Sequence, residues 1–168
     1  AAVSSPSWRA RRIAVEPEHW GAWKLGGTNA ASRQAFGVER LFYGPLRNDE
    51  ILHVPSRAPE VPLPELKGEV ELALRIAPDG MSWDSWAVAL EMPASGVSDL
   101  ANLGVIGLVS DRCAAGALLL GPAQNGPLPG PDAVLSQDID GTKVAEGTPS
   151  LLTASPDSLL AEFIASAR

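Results

Sequence analysis

The sequence predicts an α+β protein in which most of the regular structure is β-strand. The clearest indication is the segment 68–76, GEVELALRI, where side chains alternate as they do in a strand with one polar face. A mostly apolar strand within 83–92 follows after the turn sequence Pro-Asp-Gly at 78–80, so the two strands are expected to pair. Asp140-Gly141 lies between two further strand-like segments and is typical of a β-hairpin turn.

The other predicted elements are short. Strands are expected at 8–15, 20–28, 51–55, 117–121, 134–139 and 142–145. A short helix is expected at 28–37, capped by Thr28 or Asn29 and ended by Gly37, and a terminal helix begins with Ser155 as its N-cap and Pro156 as its first residue. The remaining segments are predicted as a bend at 42–46, an extended connector at 55–64, a helical turn at 98–102 and a buried segment at 104–109.

Length and charge restrict the class of protein. The 168 residues are expected to form one domain over 1–168, with 1–18 as an N-terminal arm. A formal net charge of -7 argues against nucleic acid or an anionic membrane as a partner, and no apolar run is long enough to span a bilayer. No secretory signal is expected. The single cysteine, Cys113, excludes an internal disulfide and suits the cytoplasm, and its apolar surroundings indicate an inert buried thiol.

Candidate metal ligands lie on the 68–76 strand. Glu69 and Glu71 are two residues apart, so their side chains leave the same face. Two neighbouring carboxylates repel each other when partly buried, and a hard divalent cation such as Mg²⁺ offsets this repulsion. The alternative interpretation is a strand whose solvated face carries two acids.

Two more residues extend this hypothesis. Glu91 ends the apolar 83–92 strand, where an unpaired carboxylate would be costly, and pairing of the two strands could bring it beside Glu69 and Glu71. Lys24 lies in the 20–28 strand among apolar residues, which would hold a cation beside apolar walls. Its alternative interpretation is a lysine whose stem packs on the strand while its charge reaches water.

Taken together, these segments resemble the 2-keto-4-pentenoate hydratase branch of the fumarylacetoacetate hydrolase superfamily. The resemblance extends from about Trp20 onward and depends on the order of the motifs. The matching segments are Gly21–Gly26, Phe36–Val38, Tyr43–Leu46, Glu69–Glu71, Glu91, Asp111–Gly116 and Gly147–Leu159.

The resemblance implies a mixed β-roll with short flanking helices that holds Mg²⁺ or Mn²⁺ on Glu69, Glu71 and Glu91. The metal would chelate a small 2-oxo or 2-hydroxy-dienoic acid and stabilise its enolate, with Lys24 supplying positive charge or a proton. Gly26, Gly27 and Asp111 would contact the substrate. The implied function is a metal-dependent lyase of the hydratase or decarboxylase type.

The chain also departs from the family. Hydratases commonly carry an acid where this chain has Phe42, which favours decarboxylase or tautomerase chemistry. Family members are typically longer, with an N-terminal helical region over the site, so a homo-oligomer or a partner chain that supplies a lid is expected. Two alternatives stay open: a hydrolase of acylpyruvates with His19 beside Glu18, or His53, as water activator, and a non-catalytic or partner-dependent subunit with the same fold.

Overall fold

The structure is a computed structural model that describes residues 20–54, 68–96 and 100–167. The predicted strand at 8–15 and the connector at 55–64 lie outside these residues. Strands and helices follow one another as β1 (Trp20–Gly26), α1 (Ala30–Phe36), β2 (Phe42–Arg47), β3 (Ile51–His53), β4 (Glu69–Ile76), β5 (Trp83–Met92), α2 (Leu100–Ser110), β6 (Ala117–Leu120), β7 (Leu135–Ile139), β8 (Thr142–Gly147) and α3 (Pro156–Ser166). The predicted fold class, α+β and mostly β, is confirmed.

The largest sheet is mixed. Its strands are ordered β3-β6-β5-β4, and β3 pairs with β6 in parallel while the other pairs are antiparallel. The hairpin predicted for β4 and β5 is confirmed, because the two strands pair along their lengths on either side of the 77–82 turn. This pairing is what positions the candidate metal ligands.

A separate two-stranded sheet consists of β1 and β2. The expected bend at 42–46 is wrong, because these residues form β2 and pair antiparallel with β1. Phe42 and Leu46 are buried while the residues between them alternate, which is the pattern of a half-buried strand. Pro45 fits here because β2 is an edge strand, where a missing backbone N–H is tolerated.

The predicted β7–β8 hairpin and the two capped helices are confirmed. Asp140 and Gly141 have φ angles of 50° and 77°, the positive values that a two-residue hairpin turn of this kind requires. Asn29 caps α1 through its side chain, and Gly37 ends the helix in the left-handed conformation. Ser155 caps α3 by accepting a hydrogen bond from the Ser158 backbone N–H.

The segment 104–109, expected to be buried, belongs to α2. Ile106 is 78% exposed whereas Leu108 is 4% exposed. Two residues apart on a helix, these side chains point in nearly opposite directions, so burial of one exposes the other. The expected helical turn at 98–102 is described from Leu100, which begins α2.

Two apolar clusters form the core of the described residues. The first joins Leu41 to one side of α3, namely Leu159, Leu160 and Phe163. The second consists of Phe42, Leu108, Cys113 and Ala114. No helix in the described ranges is long and apolar enough to cross a membrane.

Candidate metal centre

Three glutamates converge on one face of the β4–β5 hairpin. Glu69 and Glu91 are direct partners in the antiparallel ladder, and Glu71 pairs with Ala89, the residue two positions before Glu91. Because side chains two residues apart leave the same face of a strand, all three carboxylates share one face. One oxygen from each lies within 4.8 Å of the other two.

The three carboxylates differ in burial. Glu91 is 2% exposed, Glu71 is half-buried and Glu69 is exposed. Glu91 lies on β5, which has neighbours on both sides, whereas β4 is the edge strand of its sheet. The cluster therefore has a closed inner end at Glu91 and an open end at Glu69.

Lys24 brings a positive charge to this cluster from the other sheet. Its Nζ lies 2.8 Å from Oε1 of Glu91 and 3.7 Å from Oε2 of Glu69. The contact with Glu91 is a close ion pair with a buried carboxylate oxygen. The lysine compensates part of the negative charge and leaves oxygen lone pairs available.

Burial and charge repulsion change how the acids ionise. Burial, followed by the charges of Glu91 and Glu69, raises the pKa of Glu71 from 4.5 to about 7, although Lys24 opposes this shift. Burial also raises the pKa of Glu91, again against the effect of Lys24. Three carboxylates with one nearby ammonium group carry more negative charge than the surroundings compensate.

This donor set fits a hard divalent cation. Mg²⁺ and Mn²⁺ prefer carboxylate oxygens, and the spacing of these three groups allows one oxygen from each to reach a common ion. The buried Oε1 of Glu91, whose described polar contact is the Lys24 ammonium at 2.8 Å, has a second lone pair for an ion at the inner end of the cluster. The three glutamates therefore fit the divalent metal ion that the sequence predicted.

The cluster opens into a cleft of about 710 Å³. Its walls come from β1, β4, the β7–β8 hairpin and α3, and they include Lys24 and all three glutamates. On α3, the core residues Leu159, Leu160 and Phe163 also line the cleft. The terminal helix thus contributes both to the core and to an apolar wall of the cleft.

The residues expected to contact substrate are placed elsewhere. Gly26, Gly27 and Asp111 do not appear among the described residues that line the cleft. A Cβ atom at Gly26 would lie 2.1 Å from the ring of Phe42, and Gly27 has a φ of 69°. The local backbone and packing therefore explain why glycine occupies each position, without a contact to substrate. Asp111 accepts hydrogen bonds from Ser95 Oγ at 2.7 Å and from the Gly96 backbone N–H at 2.9 Å.

The histidines of the hydrolase alternative gain no support. His53 is exposed at the end of β3 and is not one of the described residues of the cleft wall. His19 and Glu18 lie outside the described residues. Cys113 is 1% exposed, and burial raises the pKa of its thiol to about 12, as expected for an inert thiol.

The sequence interpretation missed a buried ion pair behind β2. Both terminal guanidinium nitrogens of Arg112 lie 2.7 Å from the carboxylate of Glu50. Arg112 begins a turn in which three successive residues, none of them glycine, have positive φ angles, a conformation that costs roughly 1–2 kcal/mol per residue. The sole signal in the sequence was an arginine that follows Asp111 and precedes a run of small residues; nothing marked Glu50.

Fold and site together define an α+β protein with three clustered carboxylates and a lysine in an apolar cleft. Two solved structures of 4-oxalocrotonate decarboxylase from Pseudomonas putida G7 match this chain. The structure complexed with magnesium and adipate has a TM-score of 0.66 and 19% identity over 88% of this chain and 62% of that chain. The structure complexed with calcium and acetate has a TM-score of 0.64 and 18% identity over 88% of this chain and 61% of that chain.

The likeness establishes the fold. The chain has the fold of this decarboxylase over most of its own length and spans about three fifths of the decarboxylase chains it matches. The fold expected from the sequence is thereby confirmed. No protein-family model and no curated protein sequence matches the chain.

Proposed function

We propose that the chain is a divalent-metal-dependent lyase of the decarboxylase or hydratase type that acts on a small 2-oxo or 2-hydroxy-dienoic acid. The observation that carries this proposal is the convergence of Glu69, Glu71 and Glu91 within 4.8 Å, beside Lys24 and in the wall of a cleft. The structural likeness to a decarboxylase complexed with magnesium supports it. Glu69, Glu71 and Glu91 would hold Mg²⁺ or Mn²⁺.

The charge balance explains why the metal would be needed. Without a divalent cation, the cluster carries more negative than positive charge and repels an anionic 2-oxo acid. When bound, the metal supplies a Lewis acid for the 2-oxygen and carboxylate of the substrate. The residues would then orient the substrate: the acids would position the metal and with it the reacting end, and the apolar wall of α3 would exclude water.

Lys24 has the second role in this proposal. Its ammonium group lies against Glu91 and Glu69, so it lies close to the oxygen on which negative charge develops. It stabilises that charge and can donate a proton to the oxygen or to the neighbouring carbon. Both roles need the ammonium group to remain close to the carboxylates.

Decarboxylation is favoured over hydration. Hydration needs a group that activates water, and the fourth carboxylate of the described cleft wall, Glu146, is paired with Lys143 at 2.6 Å. Phe42 occupies the position where hydratases carry an acid, as the sequence resemblance indicated. Loss of carbon dioxide from a distal carboxylate leaves the electron pair of the broken C–C bond on the 2-oxygen, so it requires charge stabilisation and a proton, which the metal and Lys24 would provide.

Product analysis tests the proposed function. The protein is incubated with Mn²⁺ and, separately, with 2-hydroxypenta-2,4-dienoate, 2-oxohex-3-enedioate and an acylpyruvate, and the products are identified by mass spectrometry. The proposal expects metal-dependent turnover of a dienoic acid that chelation of the metal abolishes and that Lys24→Met reduces at least about 100-fold. Cleavage of the acylpyruvate alone would favour the hydrolase, and turnover without metal would contradict the proposal.

A second proposal concerns assembly. Three large apolar side chains at the cleft wall are exposed, namely Trp23, Ile76 and Leu151. Apolar surface beside a site is typical of a protein interface, which supports a homo-oligomer or a partner chain that covers the cleft. Light scattering during gel filtration tests this: a monomer at micromolar concentration that turns over substrate would contradict it.

A further inference from the structure

The turn Arg112–Ala114 lies directly behind β2. Its three residues have φ angles of 54°, 57° and 57°, in the left-handed region that residues with a Cβ atom rarely adopt. Such a conformation persists where surrounding contacts hold it in place, and it recurs at functional sites. Arg112 itself is 5% exposed, so its charge needs a partner inside the protein.

Glu50 is that partner. Nη1 and Nη2 of Arg112 each lie 2.7 Å from one oxygen of Glu50, which is the two-pronged geometry of a strong arginine–carboxylate pair. Nη1 also donates to the carbonyl oxygen of Pro45 at 3.1 Å. Glu50 in turn accepts a hydrogen bond from the backbone N–H of Arg47 at 2.9 Å. The ion pair therefore connects the turn to the second half of β2.

The same strand is the direct support of Lys24. Gly44 pairs with Lys24 in the β1–β2 ladder, and Pro45 pairs with Trp23. Gly44 also packs against the turn, since a Cβ atom there would lie 2.3 Å from the carbonyl group of Arg112. A shift of Arg112 would thus be transmitted through one pair of strand residues to Lys24.

The carboxylates have a separate support. Glu69, Glu71 and Glu91 are fixed by pairing within the β4–β5 hairpin, which belongs to another sheet. The acids and the ammonium group are therefore held by different parts of the fold, and their 2.8 Å contact depends on how β1 and β2 are held. We propose that the Arg112–Glu50 ion pair is a positioning device that holds Lys24 against Glu91.

This inference depends on the proposed function for its catalytic consequence, but its first test does not. In the metal-free protein, Lys24 is shielded by its contact with Glu91, with 14% of its side chain exposed, whereas the side chain of Lys143 is 56% exposed. Brief acetylation followed by peptide mass spectrometry gives the ratio of labelling at these two lysines. If Arg112–Glu50 positions Lys24, breaking the pair raises that ratio.

Neighbouring residues offer a matched pair of variants. Glu50→Gln weakens the buried pair, whereas Asp49→Asn makes the same chemical change in an exposed pair with Arg47. We expect Glu50→Gln and Arg112→Met to raise the Lys24 labelling ratio about tenfold, with Asp49→Asn at the wild-type value. The samples are compared under conditions where urea unfolding shows each variant to be folded, and the milder Glu50→Gln serves if Arg112→Met does not fold.

A double-mutant cycle tests the consequence for the site. Binding of 2-oxobutyrate to the Mn²⁺-loaded protein is measured by calorimetry for Arg112→Met, Lys24→Met and the double variant. Arg112→Met should weaken binding about tenfold in the wild-type background and have no further effect in the Lys24→Met background, while Mn²⁺ affinity stays within about twofold. A pair that serves stability alone would lower the free energy of unfolding without this coupling.

The outcomes separate the two proposals. Unchanged Lys24 labelling in Glu50→Gln, or additive effects in the cycle, would overturn the positioning role. Failure of Mn²⁺ or 2-oxobutyrate to bind the wild-type protein would instead refute the proposed function, and the labelling result would still decide whether the ion pair positions Lys24.

Discussion

Glu69 and Glu91 are directly opposed in the β4–β5 ladder, and the ammonium group of Lys24 lies 3.7 Å from one carboxylate and 2.8 Å from the other. Like charges directly opposite each other on a sheet are destabilising. The lysine reaches them from a separate sheet, so this contact links the two sheets electrostatically. Consequences follow for stability, pH dependence and ligand binding.

Removal of the Lys24 charge should destabilise the metal-free protein. Lys24→Met leaves the buried Glu91 without its cation, and the free energy of unfolding should fall by about 3 kcal/mol at pH 8. The loss should be smaller at pH 5 than at pH 8, because burial raises the pKa of Glu91 and a protonated carboxyl needs no cation. Urea unfolding at both pH values measures this. Lys143→Met, which removes an exposed ion pair, is the control, and an equal loss in the two variants would contradict the account.

The pKa of Glu71 predicts how the stability of the metal-free protein depends on pH. The folded protein holds the Glu71 proton up to about pH 7, whereas the unfolded chain releases it near 4.5. Its stabilising contribution is therefore fully present below about pH 4.5 and is lost as the pH rises through about 7, a change of about 3 kcal/mol.

Glu71→Gln isolates this contribution. The difference in unfolding free energy between the wild type and this variant should decrease from pH 4.5 to pH 8 in buffers free of divalent cations. A difference that stays constant over this range would show that Glu71 ionises in the folded protein as it does in the unfolded chain.

The charges of the cleft wall predict a preference among 2-oxo acids. Its described cations are Lys24, which is paired with the acids, and Arg75, which is paired with Asp84 at 2.6 Å. Arg75 lies four residues after Glu71 on β4, so their Cα atoms are about 13 Å apart along the strand. A six-carbon acid held at the glutamates is shorter than this distance. A second carboxylate, the group that decarboxylation removes, would therefore lie over apolar wall without a cation, which weakens binding of the diacid and favours loss of that group as carbon dioxide.

Two acids of equal chain length test this preference. In calorimetric titrations of the Mn²⁺-loaded protein, 2-oxohexanoate should bind about tenfold more tightly than 2-oxoadipate. The reverse order would mean that a cation outside the described cleft residues receives the second carboxylate.

Strict two-residue periodicity made the site predictable. Alternation along 68–76 and the turn at 78–80 predicted the hairpin, and the hairpin brings Glu91 beside Glu69. This prediction used only two strands that follow each other in the sequence and the turn between them. The caps of α1 and α3 were predictable for the same reason, since each depends on residues within one turn of the helix.

Contacts between distant segments were not predictable. Gly44-Pro45 indicated a bend because the sequence does not reveal that β1 supplies a partner strand. Arg112 and Glu50 are 62 positions apart, and no periodic pattern connects them. The roles of Gly26, Gly27 and Asp111 in substrate binding, and of the three glutamates as ligands, stay predictions.

Binding of Mn²⁺ to the metal-free protein at pH 8, followed by electron paramagnetic resonance of the free ion, tests the central claim most directly. We predict one site that Glu91→Gln weakens at least about tenfold, whereas Glu146→Gln, which alters the cleft carboxylate paired with Lys143, leaves its affinity unchanged. Equal affinity in the wild type and both variants, or no binding at all, would contradict the assignment of Glu69, Glu71 and Glu91 as a metal centre.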